Sequence, residues 1–274
     1  MISFKNANLT RINVTDKSEV LSIYHKQGFV IIDGNSFNEE CISPEDKLIY
    51  IEKKYRLGRF KASEDNIRLY NERLKEQGFN NIGRPGVEVK LEHDAFDSNN
   101  GQEFHVDGIF RPTGTIKTVV LTCKNEAEKG GENTLFNMIG AIEHIRKIDP
   151  MLLKPLYDKR SMRRSSDYEG SDRHSLDSIL DFDKEYQRTV VNFSMDRTVD
   201  WEFSEKFVPN IKEPVSILKT LASGDNDYKL EFLLRTGDTI IMDNCLIAHG
   251  RKCFQDTEDN PRIMVRGKYE KMPS

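Results

Sequence analysis

His105 and Asp107 flank Val106 in the segment EFHVDGIF, residues 103–110. Alternate residues of a strand point to one face, so this imidazole and this carboxylate could meet a single metal ion. Alone, an HxD triplet fits a hydrogen-bonded surface pair equally well. A third candidate ligand lies far downstream. GDTIIMDNCLIAHGRKCF places His249 just after an apolar run that reads as a buried strand, and the next run, PRIMVRGKY, carries Arg262 and Arg266. Two imidazoles and one carboxylate can occupy one face of an octahedral iron and leave three positions open for a bidentate keto acid and dioxygen. An arginine fork can hold a remote carboxylate through two parallel hydrogen bonds and so orient the keto end toward the metal. Residues four apart on a strand share a face, so spacing does not choose between Arg262 and Arg266 for that task.

Competing constellations are weaker. His25, His93, His144 and His174 fall in expected helices or polar loops, where solvated or hydrogen-bonded roles are usual. His93 and Asp94 are adjacent, and adjacent strand residues face opposite ways. GGENT, residues 130–134, lacks the second glycine and lysine of a phosphate loop and reads as a turn before a strand. Cys41, Cys123, Cys245 and Cys253 form no CxxC pair, which points to reduced thiols in a cytoplasmic protein rather than to zinc or a disulfide framework. The single Trp201 is expected to supply core packing.

Three blocks, FHVDG (104–108), GGENTLFN (130–137) and GDTIIMDNCLIAHGR through PRIMVRG (237–267), resemble in type and order the taurine dioxygenase-like superfamily of iron and 2-oxoglutarate enzymes. Within that superfamily the pattern is similar to carbapenem synthase and the clavaminate synthase-like group. The resemblance implies a mainly β fold with helical additions, a double-stranded β-helix or jelly-roll barrel. It implies iron(II) held by His105, Asp107 and His249, with 2-oxoglutarate and dioxygen as co-substrates. Thr134 inherits a 2-oxoglutarate contact, with Asn133 standing as an extra residue relative to the family's spacing. Arg262 inherits the 2-oxoglutarate anchor, with Arg266 assisting or touching substrate, and Arg251 is a second candidate contact. The implied chemistry is oxidative decarboxylation of 2-oxoglutarate to succinate and carbon dioxide, coupled to attack on an unactivated C–H bond. Hydroxylation is the default outcome; desaturation, cyclisation and epimerisation share the same first half. Asp107 occupies the position that a related halogenase branch leaves to a small residue, which argues against halogenation. The implied substrate is a small polar or zwitterionic molecule, an amino acid or a derivative of one. Two rival classes keep the same ligands: an enzyme of another reaction type, and a non-catalytic barrel that binds metal or 2-oxoglutarate.

The elements that must position these residues are legible in outline. GFVIID (28–33), EFHVDGIF, TIKTVVLTC, NTLFNM, RTVVNFSM, KLEFLLRTGDTIIMDN and PRIMVRGKY read as strands, and VEVKLEH (87–93) as another, separated by turn-forming clusters. Helices are expected over 43–58, with Ser43 as cap and Pro44 in the first turn, over 63–78, and over 137–158. A polar stretch, 160–178, reads as a surface loop, and a lid or insertion is expected near 159–187 of one domain. Lysines and arginines number 41 against 45 acidic residues, a formal charge of -4, so no broad basic face for nucleic acid is expected. No leader and no apolar run long enough for a membrane span is read from the sequence.

Overall fold

The computed structural model describes residues 3–60, 78–83, 99–108, 110–166 and 173–274. The expected helix over 63–78, the strand over 87–93, and His93 with Asp94 lie largely or wholly outside the described residues. In chain order the strands are β1 (Arg11–Ile12), β2 (Phe29–Ile32), β3 (Asn80–Ile82), β4 (Gln102–His105), β5 (Thr118–Asn125), β6 (Lys129–Gly130), β7 (Asn133–Asn137), β8 (Met162–Ser165), β9 (His174–Asp177), β10 (Leu180–Asp183), β11 (Arg188–Val191), β12 (Lys229–Phe232), β13 (Thr239–Asp243), β14 (Ile247–Arg251), β15 (Phe254–Gln255) and β16 (Ile263–Tyr269). The helices are α1 (Lys17–Gln27), α2 (Pro44–Tyr55), α3 (Met138–Ile148), α4 (Trp201–Phe207) and α5 (Lys212–Ser223).

A major sheet runs in the order β1-β2-β13-β5-β16-β3 and a minor sheet in the order β12-β7-β14-β4. Only the β1–β2 pairing among them is parallel. The two sheets face each other across one apolar layer, to which the major sheet sends Leu121, Ile240, Met242 and Met264 and the minor sheet Leu135, Phe232 and Ile247. Alternation then turns Val120, Ile241 and Val265 to the opposite face of the major sheet, where α1 and α2 cover them through Tyr24, Leu48 and Ile51. The outer face of the minor sheet, Phe136 and Ala248, is covered by α3 and α5 through Ile142, Ile145 and Leu218. Strands buried on both faces read as continuous apolar runs, which is why TIIMD lacks the alternation of a half-exposed strand. The result is a double-stranded β-helix, a jelly-roll with helical additions.

Several local expectations shift. α2 starts as expected, with a reciprocal capping box between Ser43 and Asp46, but it ends at Tyr55, with Arg56 in the left-handed conformation before Gly58 is reached. α1 was not apparent in the polar N-terminal segment, because only Val20, Tyr24 and Gln27 of it are buried. The helical stretch 137–158 breaks at Asp149, which caps a 3-10 segment over Pro150–Tyr157. KLEFLLRTGDTIIMDN divides into β12 and β13, which belong to different sheets. The polar stretch 160–178 contains β8 and β9, paired as an antiparallel hairpin, and Arg164 within it is only 2% exposed. Trp201 packs partly buried against the outer cluster of the minor sheet, with the Lys219 ammonium 4.3 Å above its ring.

Candidate metal centre

β4 and β14 are antiparallel neighbours in which His105 and His249 are direct partners, so both imidazoles project from the same side of the minor sheet. Their ring centroids lie 4.4 Å apart. β4 ends at His105, so Asp107 does not sit on a continuing strand as the alternation argument assumed. It lies on the turn beyond, ahead of Gly108 with φ of 111°. Asn244 holds this turn from both sides. Its Oδ1 accepts the Asp107 N–H at 2.8 Å, and its Nδ2 donates to the carbonyls of Asp107 at 3.1 Å and Ile116 at 3.0 Å.

The ligating atoms of His105, Asp107 and His249 all fall within 4.8 Å of one another. His105 Nδ1 lies 2.9 Å from the Glu103 carbonyl, which fixes the proton there and turns Nε2 toward the centre. The Gln102 amide approaches that Nε2 at 3.4 Å, the long end of hydrogen bonding. Asp107 Oδ1 accepts from Arg266 at 2.7 Å, whereas Oδ2 is buried without a hydrogen-bond partner and lies 4.0 Å from His249 Nε2. An orphaned carboxylate oxygen in a buried site is unfavourable unless a cation completes it.

The electrostatics agree. Burial pushes both imidazoles toward the neutral form, His249 down to about 3, with His105 adding to the effect there. Burial alone would raise Asp107, but the charges of Arg266 and Lys268 more than offset it and hold the carboxyl well below its usual range. Two neutral imidazoles and one carboxylate are the protonation states that a divalent metal requires. The donor set therefore fits iron(II) in a facial arrangement.

The remaining candidates divide into two groups. Arg262 and Arg251 are 4% and 5% exposed and lie over the same Phe254 ring, at 5.3 Å and 4.8 Å. Arg262 donates to the Gly131 carbonyl at 3.3 Å and Arg251 to the Asn100 carbonyl at 2.7 Å. Burial lowers both guanidinium pKa values, and the proximity of Arg262 helps bring Arg251 to about 10. Two desolvated guanidinium groups on one aromatic ring favour an incoming carboxylate. Arg266, by contrast, is committed to Asp107.

Thr134 is paired with Gly250, and Asn133 with Arg251. Since paired residues share a face, Asn133 projects to the side of His249 and Arg251, whereas Thr134 turns to the other side. The extra residue in GGENT has thus shifted the alternation, and Asn133 takes the inward position expected of Thr134. Sequence reasoning also passed over Asn244 and Lys268, and it placed Arg164 in a solvated surface loop, whereas that side chain is buried. Lys268 alone carried a signal, standing two residues after Arg266 and therefore on the same face.

The family model described as taurine catabolism dioxygenase TauD, TfdA family matches residues 2–267. Two curated proteins named uridine-5'-phosphate dioxygenase, from Amycolatopsis sp and Streptomyces sp, are 29% and 27% identical over 181 and 183 residues. Each match covers 66% of this chain, and spans 65% and 66% of the respective relative, just under two thirds of its length. Among solved structures, the non-heme iron oxygenase OrfP in complex with Fe and alpha-ketoglutaric acid superposes with a TM-score of 0.64 at 15% identity, over 94% of this chain and 79% of that chain. OrfP has also been solved with Fe, succinate and (3S)-hydroxy-L-Arg. With the family model spanning nearly the whole sequence and the jelly-roll in place around the two-histidine, one-aspartate cluster, the chain belongs to the TauD, TfdA dioxygenase family.

Proposed function

We propose that the chain is an iron(II)- and 2-oxoglutarate-dependent dioxygenase that oxidises an unactivated C–H bond of a small polar metabolite, by default through hydroxylation. The observation that carries this reading is Asp107 Oδ2, buried and without a partner beside two neutral imidazoles. His105, Asp107 and His249 would hold the iron. When bound, iron with 2-oxoglutarate supplies dioxygen activation coupled to decarboxylation, releasing succinate and carbon dioxide. Arg262, supported by Arg251, would take the distal carboxylate of 2-oxoglutarate, a role that Arg266 cannot share while it neutralises Asp107. Asn133 is the β7 side chain placed to assist from the same face, in place of Thr134. Met264 and Leu135, buried in the apolar layer between the sheets, share these inner faces.

For the substrate, the motif resemblance favours an amino acid or a derivative of one. The names of the curated relatives favour a second reading, a nucleoside monophosphate. The test of the cofactor reading is anaerobic addition of iron(II) and 2-oxoglutarate to metal-free protein. A weak visible charge-transfer band is expected, lost in His105→Ala and Asp107→Ala. Arg262→Ala should weaken 2-oxoglutarate while sparing iron. A folded, iron-loaded protein that gives no band sinks the reading. Binding without turnover of 2-oxoglutarate under dioxygen, across both substrate classes, would instead leave a ligand-sensing barrel.

A further inference from the structure

Arg262, just ahead of β16, and Met264, Arg266 and Lys268 on it share the inner face, and Lys268 is the cation to which the reading above gives no role toward iron or 2-oxoglutarate. Its ammonium lies 3.8 Å from Asp107 Oδ1, an oxygen already taken by Arg266 at 2.7 Å. Among the described residues it makes no hydrogen bond, and its side chain remains 26% exposed. Arg111, which borders the pocket beside Asp107 together with Asn192 and Asn244, adds a further positive charge to the surroundings of Lys268. Among the described residues one carboxylate, that of Asp107, therefore faces several cations, and a metal ion bound to it would add more positive charge.

2-Oxoglutarate cannot meet this demand. One of its carboxylates belongs with the keto group on the metal, and the other belongs with Arg262. Lys268 stands six residues along the strand from Arg262, about 20 Å at the rise of an extended chain. Among the described residues no acidic group other than Asp107 faces Lys268, which leaves the substrate as the reaction component to supply a second anion. We infer that Lys268 is a specificity residue, binding an anionic group of the substrate, a phosphate monoester or a carboxylate, on the Asp107 side of the metal centre. This rests on the dioxygenase reading. It narrows the substrate class to molecules that carry an anion at a fixed distance from the oxidised carbon.

The experiment uses full-length protein loaded anaerobically with iron(II) and 2-oxoglutarate, titrated calorimetrically with uridine 5'-phosphate against uridine, and with L-arginine against L-argininamide. Formation of the visible band beforehand tests the cofactor reading separately. Within one of the two pairs, the member that carries the anionic group is expected to bind at least tenfold more tightly than the member that lacks it, which identifies the group as phosphate or carboxylate. Lys268→Met should abolish that preference, Lys268→Arg should restore most of it, and neither should alter the affinity for 2-oxoglutarate. The inference is overturned if the band forms but wild-type protein shows no preference for the anionic group in either pair. It is equally overturned if Lys268→Met keeps the preference or weakens 2-oxoglutarate to the same extent.

Discussion

Arg164 offers the sharpest test of how the metal ligands are held. It belongs to β8 yet reaches beneath the centre, donating to the carbonyl of Val106, the residue between two of the ligands, at 3.4 Å. It also donates to Thr198 Oγ1 at 3.0 Å and Ser194 Oγ at 3.3 Å, and pairs with Asp196 at 3.2 Å. Ser194 in turn bridges to His105. Arg164→Met keeps the length of the side chain and removes every one of these bonds. Breaking a buried ion pair by removing one partner costs about 3–5 kcal/mol. Asp196 is 28% exposed and can be rehydrated, so the lower end, about 3 kcal/mol, applies. At roughly 2–4 °C per kcal/mol for a chain of this size, the melting temperature of metal-free protein should fall by roughly 6–12 °C. Loss of a group that orients metal ligands should weaken iron(II) by roughly 10–100-fold. The assay is an anaerobic competition between the protein and a chromophoric chelator, run beside thermal melts. Arg163→Met is the control. Arg163 lies next in the hairpin, a third exposed, paired with Asp200 on the surface, and its loss should change stability by at most about 1 kcal/mol and leave iron binding alone. A folded Arg164→Met protein with wild-type iron affinity would refute the claim that the hairpin positions the ligands.

Two further outcomes are expected. Asn133→Ala should weaken 2-oxoglutarate, read from the titration of the visible band, whereas Thr134→Ala should leave it unchanged; the reverse result would mean that the alternation along β7 was misjudged. Metal-free protein should lose stability as pH falls from ~6.5, the value for an unperturbed histidine, toward about 3, because unfolded chains take up protons that buried His249 refuses. Asp107 adds its own loss only below ~3.9, so between pH ~6.5 and ~4.5 the difference between wild-type and His249→Asn melts reports the imidazole, and the substitution should flatten the slope there. Parallel slopes would contradict the burial argument.

Much of the fold was legible because its strands are buried on both faces, and runs such as TIIMD announce themselves by hydrophobicity alone. The grouping of His105, Asp107 and His249 as candidate ligands was readable from residue type and spacing, although for Asp107 the geometric reason was incomplete. A turn clamped by Asn244, rather than strand alternation, delivers it. That clamp was hidden because an asparagine after a strand has the composition of any turn. Asn133 was hidden because one inserted residue reverses the parity of a strand, which pattern matching at the level of motifs does not register. The β8–β9 hairpin was missed for a different reason. Its residues are charged, and Arg164 is buried through bonds to partners 30 to 58 residues away that no local window contains.

The clamp on Asp107 joins groups 137 residues apart, and His105 meets His249 only where β4 has zipped to β14. No fragment of local chain holds a complete ligand set, so the centre comes into being only when non-local strand pairing, the slow part of forming such a barrel, has finished. During folding the metal can seal the structure but cannot template it. Iron retention is therefore a gauge of whether the last strands are seated, and a lesion far from the ligands that loosens either sheet should announce itself first as lost metal.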